Sequence, residues 1–559
     1  MHGLSKELAR LMQHYRWAAG IRVVWSRARI ALACLLLLSG VSASRPAESD
    51  EPTLHIGLTQ EPATLNPIVG TLALENDVAQ FIFSGLTRYD DRGNRIPDLA
   101  EEVPTRANGG ISPDDRTITY HLVHNAFWHD GVPLTSADVK FTFDEQMNPK
   151  NNVATRTPYD EIARVETPDK YTVRIILKRP WAPALDAFSD RNAGAIIPEH
   201  LLAKYDDLNH VDFNSAPVGS GPYRLVNWQR GSQMILEADP RFYRGPAKIK
   251  RVVLRFLTAD NTMMIALRTH EIDMADTLNL STYLNLGSVP GMVPALNAKS
   301  FWEHLTFNTA RPPLDDRRVR LALCYGFDVH EIFAKVAHGL GLLGPTSENP
   351  ATQWFNRKLS YYPYDPAHAA RLLDEAGWKV GPDGIRVKDG KRLTLTLVST
   401  AGNQTREQTE ILLQQSWKAI GIDVTIKNGP ASMVFALAAN GGPLYSGNYD
   451  VALSAFVEAT PDPEQINVNE EDRVPPNGNN FAFYRNHEIS ELEERAASTF
   501  DVPTRKRLYD RIQEIELRDV PYYVIRWAAI TDMRSTNLEG VRPSIIGSTF
   551  WNIADWQFK

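Results

Sequence analysis

Short apolar strands and amphipathic helices alternate along almost the whole chain, and this alternation is the feature that most limits its fold. Residues 54–58 (LHIGL) place apolar side chains at every second position, which predicts a strand. Residues 406–419 and 504–518 repeat apolar side chains at spacings of three and four, which predicts helices. Interleaved strands and helices predict an α/β class, or its α+β variant, built from several lobes.

Length and composition limit the class of protein further. The chain has 559 residues, of which 43% are hydrophobic, so it is neither disordered nor of low complexity. At about 100–200 residues per domain, the length predicts about three folding units. The net charge of −7 excludes a globally basic nucleic-acid binder, and we expect no nucleic-acid partner.

The first 44 residues differ from the rest of the chain. They contain six basic residues and one acidic residue, a net charge of +5, which leaves −12 on the remainder. An apolar run over 30–41 follows the basic residues and is shorter than the ~20 residues that a bilayer span needs. Small residues come next. This order predicts a secretory signal peptide over 1–43, and therefore export to the periplasm.

The two cysteines, Cys34 and Cys324, are too few for a disulfide framework or a thiolate zinc site. Cys34 opens the apolar run instead of ending it, which argues against a lipid-anchored cysteine. Once the signal peptide is removed, only Cys324 remains. It lies on a predicted helix, where a thiol packed in the core is the simpler interpretation.

Motifs for catalysis or cofactor binding do not fit their required contexts. Residues 339–344 (GLGLLG) match G-x-G-x-x-G, but a helical segment precedes them and Pro345 follows, whereas a dinucleotide site needs a strand before and a helix after. Residues 218–222 (VGSGP) lack the spacing of a nucleophile elbow and predict a turn. The histidines are scattered. We therefore predict no enzyme, no cofactor and no metal site.

An ordered series of segments resembles extracytoplasmic solute-binding protein family 5, the peptide-, nickel- and related binding proteins of ABC importers. The strongest match covers residues 112–117 (SPDDRT) and 127–139 (FWHDGVPLTSADV). Single segments have low specificity, whereas the complete set in the correct order is highly specific. The other matching segments are 60–67, 83–86, 97–101, 217–223, 266–273, 313–323 and 550–556.

The resemblance implies a two-lobed periplasmic binding protein fold of the large type, with an extra subdomain in lobe one. Applied to this sequence, it predicts lobe one in two parts, 45–91 and 214–300, with the subdomain at 92–213 between them. Lobe two would be 301–520, and 521–559 would return to lobe one. Such proteins enclose a ligand by closing the lobes about a hinge.

The resemblance also suggests where the ligand binds. Peptide-binding members carry an aspartate that pairs with the peptide ammonium in a stretch matching residues 456–463 (FVEATPDP). Here Ala459 stands at the aspartate's position and Phe456 replaces a tryptophan, so either Glu458 supplies the carboxylate or the ligand presents no amine there. A buried ammonium without a counter-ion would be costly. Further candidates for ligand binding, chosen by position and residue type, are Glu61, Phe301, Trp302, Asn480 and Phe481.

The predicted function is the periplasmic substrate-binding component of an ABC importer, with a peptide as the main ligand class and membrane permease subunits as partners. We expect a monomer. Binding of a sugar, opine, amine or metal chelate by the same fold is the alternative. Two other hypotheses stay open: a secreted hydrolase of an unrecognised type, and a chaperone or receptor that reuses the binding fold.

Overall fold

The computed structural model describes residues 52–70, 72–153, 155–189, 194–457, 462–544, 546 and 548–559. The predicted signal peptide lies outside this part of the chain. Fourteen helices occur among the described residues, and none is long and apolar enough to cross a membrane.

The strands are β1 (Thr53–Leu58), β2 (Thr87–Tyr89), β3 (Arg95–Pro97), β4 (Thr117–His121), β5 (Ile162–Asp169), β6 (Thr172–Leu177), β7 (Tyr223–Gln229), β8 (Gln233–Ala238), β9 (Arg251–Phe256), β10 (Met274–Leu278), β11 (Met292–Phe307), β12 (Lys379–Val380), β13 (Arg386–Lys388), β14 (Lys391–Arg392), β15 (Thr394–Thr400), β16 (Asp423–Gly429), β17 (Val451–Val457), β18 (Tyr522–Ser535), β19 (Leu538–Glu539) and β20 (Gln557–Phe558).

The helices are α1 (Ala73–Ile82), α2 (Ser136–Met147), α3 (Glu199–Leu202), α4 (Asp260–Arg268), α5 (Leu280–Leu286), α6 (Arg317–Tyr325), α7 (Val329–Val336), α8 (Pro366–Glu375), α9 (Gln404–Ala419), α10 (Ala431–Val434), α11 (Pro443–Ser446), α12 (Ile466–Asn469), α13 (His487–Ala497) and α14 (Val502–Asp519). The mixture of strands and helices confirms the predicted α/β class.

Ten strands form one continuous sheet in the order β16-β15-β17-β11-β18-β10-β1-β9-β8-β7. The two long strands β11 and β18 occupy its middle and pair antiparallel with each other. The second half of β11 also pairs with β17, while the second half of β18 pairs with β10. These two strands therefore connect one half of the sheet to the other.

Each half of the sheet has its own hydrophobic core. One core surrounds β1, β8 and β9 and includes the C-terminal Phe550 and Trp556. The other surrounds β15 and β17 and includes Cys324, which is buried as predicted. Burial raises the pKa of the Cys324 thiol, as expected for a packed and unreactive cysteine. Two cores joined by two strands are what the predicted two-lobed fold requires.

A third core belongs to residues that follow α1 in sequence. It packs around the three-stranded sheet β4-β6-β5 and includes the fully buried Trp128, while Ile466 and Ala497 from the second half of the chain also join it. This core lies in the segment predicted as the extra subdomain. The numbered domain boundaries themselves stay predictions.

The predicted turn at 218–222 forms a bend directly before β7. Its glycines permit a close backbone approach, because a Cβ at Gly219 would lie 1.8 Å from the carbonyl oxygen of Ile82. His129 holds the bend through both ring nitrogens: Nδ1 accepts from the Gly219 amide at 3.2 Å, and Nε2 lies 3.0 Å from the Gly221 carbonyl oxygen. Burial lowers the pKa of His129, which favours the neutral ring that this pattern needs.

Candidate functional site between the two halves of the sheet

A cavity of about 1030 Å³ opens where the carboxyl ends of β1, β10 and β15 meet the long strands β11 and β18. Pockets that bind small molecules measure about 300–1,000 Å³. The space is therefore large enough for a short peptide or a compact metabolite.

Both halves of the sheet contribute walls to this cavity, which we call the cleft. On the side of the first core the wall carries Gln60, Asp77 and Asp276. On the side of the second core hydroxyl and amide groups predominate: Thr400, Asn403, Gln404, Thr405 and Gln408. A ligand in the cleft would contact both halves at once.

The strands between the two walls contribute charge to the cleft. Glu303 on β11 is 4% exposed, and its carboxylate pairs with two guanidinium groups. Arg526 on β18 donates from Nε to Oε2 at 2.6 Å, and Arg406 on α9 donates from Nε to Oε1 at 3.1 Å. We call Glu303, Arg406 and Arg526 the cleft triad. It carries two positive charges and one negative charge.

The protonation of Glu303 follows from these neighbours. Burial alone would raise the pKa of its carboxyl, but the guanidinium groups of Arg526 and Arg406 outweigh this effect and hold the pKa below its ordinary value. Arg406 is fixed further because its Nη1 donates to the Thr400 hydroxyl at 2.7 Å. The cleft triad is therefore an ionised network with a net charge of +1.

Aromatic side chains pack against one another on β11, β17 and β18. Trp302 lies 5.3 Å from Phe456 and 6.2 Å from Trp527, measured between ring centroids, and Phe456 stacks on Phe481 at 5.9 Å. His304 is completely buried among them, and burial lowers its pKa to about 3, so the ring is neutral. The structure thus brings three predicted ligand-binding aromatics, Trp302, Phe456 and Phe481, into one cluster.

The cluster is distinct from the lining of the cleft. Trp302 and Phe481 are 0% and 2% exposed, and neither they nor Phe456 is among the described residues that line the cavity. Phe301, in contrast, does line it. A role for any of these four aromatics in ligand binding stays a prediction.

The remaining predicted site residues lie apart from the cleft lining or outside the described residues. Asn480 is buried and holds a loop, since its Nδ2 donates to the carbonyl oxygens of Glu470 and Tyr484 at 3.0 and 2.7 Å. Glu61 accepts from Trp228 Nε1 and from the Gly231 amide, each at 3.0 Å, which ties the end of β1 to the β7–β8 turn. Glu458 and Ala459 lie outside the described residues.

Downstream of Glu458, Asp462 forms a buried ion pair with Arg505 on α14. The two side chains are each 6% exposed, and Arg505 donates to both carboxylate oxygens, at 2.7 and 2.6 Å. Asp462 in turn accepts from the Glu464 amide. This bidentate guanidinium–carboxylate pair fixes the chain directly after the predicted anchoring stretch.

Four glutamates form a second buried group, which we call the carboxyl cluster: Glu464, Glu470, Glu493 and Glu516. Burial raises the pKa of Glu464 and Glu470 to about 7, and it raises the pKa of Glu493 and Glu516 as well. The Asn469 amide bridges Glu493 and Glu516, with hydrogen bonds of 3.1 and 2.9 Å. In the part of the chain that the structure describes, no group of three His, Cys, Asp or Glu is arranged to hold a metal ion.

Sequence reasoning missed the cleft triad. One signal was present, because Glu303 and Arg526 are single charges inside strongly apolar strands, FWEHLTF and YYVIRWAA. A charge in such a position is buried, and a buried charge needs a partner. The partners are distant in sequence, however, and the pattern of a single strand does not identify them.

Comparisons with known proteins place the chain among solute-binding proteins. A family model described as "Bacterial extracellular solute-binding proteins, family 5 Middle" matches residues 94–469. Protein XP55 of Streptomyces lividans is 30% identical over 506 residues, which cover 87% of this chain and 86% of that protein. The oligopeptide-binding protein AppA of Bacillus subtilis is 26% identical and covers 90% of each chain.

Among solved structures, NikZ of Campylobacter jejuni in complex with Ni(L-His) superposes with a TM-score of 0.73. It shares 26% identity, and the match covers 90% of this chain and 99% of NikZ. The correspondence extends over both halves of the sheet and confirms the predicted two-lobed binding-protein fold.

Proposed function

Because the chain belongs to family 5 of the bacterial extracellular solute-binding proteins, we propose that it is the substrate-binding component of an ABC importer and captures a small solute between its two lobes. The observation that carries this proposal is the cleft itself, whose walls come from both halves of the sheet. A ligand that touches both walls stabilises the closed arrangement through its contacts with each.

The hinge of this movement would be formed by β11 and β18. They are the two strands that belong to both halves, and each has irregular pairing near the crossing point, between Ala298 and Trp302 on β11. Interruptions of a strand ladder are places where strands bend. Closure about two adjacent strands would bring Thr400 and Asn403 towards Asp77 and Asp276.

A peptide is the main ligand class that we propose. AppA is described as oligopeptide-binding, and the cleft offers the hydroxyl and amide groups that hydrogen-bond a peptide backbone. A nickel or other metal chelate is the second candidate, since NikZ was solved with Ni(L-His). The proposed ligand in that case is the complete chelate, whose organic part would contact the cleft.

The remaining features of the proposal follow from the family and from the N-terminal sequence. We place the mature protein in the periplasm after removal of the signal peptide, working as a monomer with permease subunits of the inner membrane as its partners. AppA is named as an oligopeptide-binding protein and the matching family as one of solute-binding proteins, and we propose binding without catalysis for this chain. Turnover of ester or peptide substrates by the purified protein would instead favour a hydrolase.

Ligand binding is tested by thermal shift and isothermal titration against libraries of peptides, metabolites and nickel–histidine chelates. At least one class should raise the melting temperature and bind with a stoichiometry near one. Ala401→Trp should abolish binding because it fills the cleft from an exposed loop position. Ala439→Trp, exposed and outside the cleft lining, is the matched control. Absence of any ligand, or equal effects of the two variants, would contradict the proposal.

A further inference from the structure

Arg526 is the residue of the cleft whose hydrogen bonds leave the most capacity for a ligand. It lines the cavity, and its Nε is occupied by Glu303. Within the described part of the chain, its Nη1 and Nη2 donate to no acceptor. A guanidinium group has five N–H donors in a planar fork that matches a carboxylate. Four of them are therefore available at the cleft.

The charge around Arg526 also favours an anion. Glu303 is shared between Arg526 and Arg406, so the cleft triad keeps one positive charge that no carboxylate in it neutralises. The triad is buried, where electrostatic interactions are screened less than at the surface. An anion that enters the cleft at this point would complete a balanced group of two cations and two anions.

Asp276, on the opposite wall, lies well away from Arg526 along the sheet. In the antiparallel pairing of β10 with β18, Asp276 lies between the positions that pair with Met533 and with Thr531. These two β18 residues are at least five residues beyond Arg526, which corresponds to roughly 16 Å along a strand. Coulomb attraction falls with distance, so Asp276 offsets the charge at Arg526 less than a carboxylate in direct contact would.

From this geometry we infer that the solute carries a carboxylate, and that Arg526 binds it at the hinge end of the cleft while Glu303 and Arg406 hold the guanidinium in place. This inference rests on the proposed solute-binding function and narrows its ligand class. Arg526 is the contacting residue, and Glu303 and Arg406 are positioning residues.

The carboxylate is tested with matched probes that differ only in charge. A tripeptide and pentapeptide library is prepared both as free acids and as C-terminal amides, together with succinate and glutarate as acids that are not peptides. We expect the acid forms to bind roughly tenfold to a hundredfold more tightly than the amides, because hydrogen bonds to charged groups contribute more than neutral ones. Binding of the dicarboxylates alone would identify a non-peptide source of the same group.

Three variants separate the role of Arg526 from general damage to the cleft. Arg526→Gln should lower the ratio of acid affinity to amide affinity towards one. Glu303→Gln keeps an amide oxygen that can accept from Arg526 Nε and raises the charge of the triad to +2, so the preference for acids should be preserved or increased. Arg534→Gln, on the same strand but bonded to the Leu538 carbonyl oxygen and outside the cleft lining, should behave like the unmodified protein. Circular dichroism confirms that each variant is folded, and the uncharged Arg526→Met replaces Arg526→Gln if the latter is not.

The possible failures are distinguishable. If acids and amides bind the unmodified protein equally, or if Arg526→Gln weakens both forms alike, the inference is wrong and the solute-binding function stands. If no peptide, dicarboxylate or chelate binds in any form, both the proposed solute-binding function and the inference about the carboxylate are wrong.

Discussion

Glu303 and Glu493 are both glutamates with almost no contact with solvent, 4% and 0% exposed, yet their environments favour opposite protonation states. Glu303 has two guanidinium partners, and its pKa lies below the ordinary value. Glu493 has the Asn469 amide as a neutral partner and lies beside Glu464 and Glu516, so its pKa lies well above that value. Burial is common to both, and the supply of cations makes the difference.

This contrast separates two functions of buried acids in one lobe. The cleft triad keeps its charges at the cavity, where a ligand can use them. In the carboxyl cluster burial favours the protonated acids, and Asn469 on α12 donates to Glu493 on α13 and to Glu516 on α14. Asp462 lies beside the second group but has its own cation, Arg505, and so resembles Glu303 more than its neighbours.

The largest effect is expected from Arg505→Met, which removes the cation of a fully buried pair. Asp462 would be left as an uncompensated charge, and the free energy of unfolding should fall by about 3–5 kcal/mol. Denaturant titration measures this loss. Arg507→Met, exposed on the same helix, is the control and should change stability by less than about 0.5 kcal/mol. Equal effects would show that Asp462 does not depend on its ion pair.

A smaller effect is expected from Arg406→Met, because Glu303 keeps Arg526 as a partner. The variant loses the hydrogen bonds of Arg406 to Glu303 and to the Thr400 hydroxyl, and the free energy of unfolding should fall by about 1.5–3 kcal/mol in denaturant titration. The loss in free energy of unfolding should be smaller for this variant than for Arg505→Met. The difference between the two losses measures how much a second cation stabilises a buried carboxylate. A loss as large as that of Arg505→Met would contradict the sharing of Glu303 between two arginines.

The carboxyl cluster should make stability depend on pH. The pKa of Glu464 and Glu470 is about 7 in the folded protein and near 4.5 in the unfolded chain, so the folded state holds more protons between these values. The free energy of unfolding therefore falls as pH rises from about 4.5 to 7. Melting curves at pH 5 and pH 8 should show the higher melting temperature at pH 5.

Glu493→Gln sharpens this expectation because glutamine resembles the protonated acid. The variant should melt a few degrees higher than the unmodified protein at pH 8 and close to it at pH 5. Glu514→Gln, exposed on α14, should leave the dependence on pH unchanged. A melting temperature of Glu493→Gln that falls at pH 8 would mean that Glu493 is ionised in the folded protein.

The smallest effect is expected where an ion pair is exposed. Arg179, after β6, pairs with Glu494 on α13 at 2.5 Å, with side chains 37% and 42% exposed. Glu494→Gln should cost about 0–1 kcal/mol, because solvent screens such pairs. Glu491→Gln on the same helix is the control. A loss above that range would show that this contact between the third core and the second half of the chain is stronger than its exposure indicates.

Local patterns predicted the elements well. The helices expected at 406–419 and 504–518 are α9 and α14, and the strand expected at 54–58 is β1. Cys324 is a core residue, as its position on a predicted helix indicated. Helices, strands and core positions follow from the periodicity of apolar side chains, and residues close together in sequence determine that periodicity.

The cleft could not be predicted in the same way. Glu303 is separated by 103 residues from Arg406 and by 223 residues from Arg526. The register of β11 against β18 places Arg526 opposite Glu303, and the position of α9 supplies Arg406. Strand pairing between distant segments is not encoded in any short window. The family resemblance located candidate residues near this region, and it did not identify the charged group at its centre.

The central claim is that the cleft holds a small solute, and native mass spectrometry of the protein purified from its native host tests it most directly. We predict a species heavier than the polypeptide by the mass of one small molecule, which disappears on denaturation and is depleted in Ala401→Trp but not in Ala439→Trp. The released molecule should carry a carboxylate. A spectrum of polypeptide alone, unchanged after incubation with peptides, dicarboxylates and chelates, would contradict the claim.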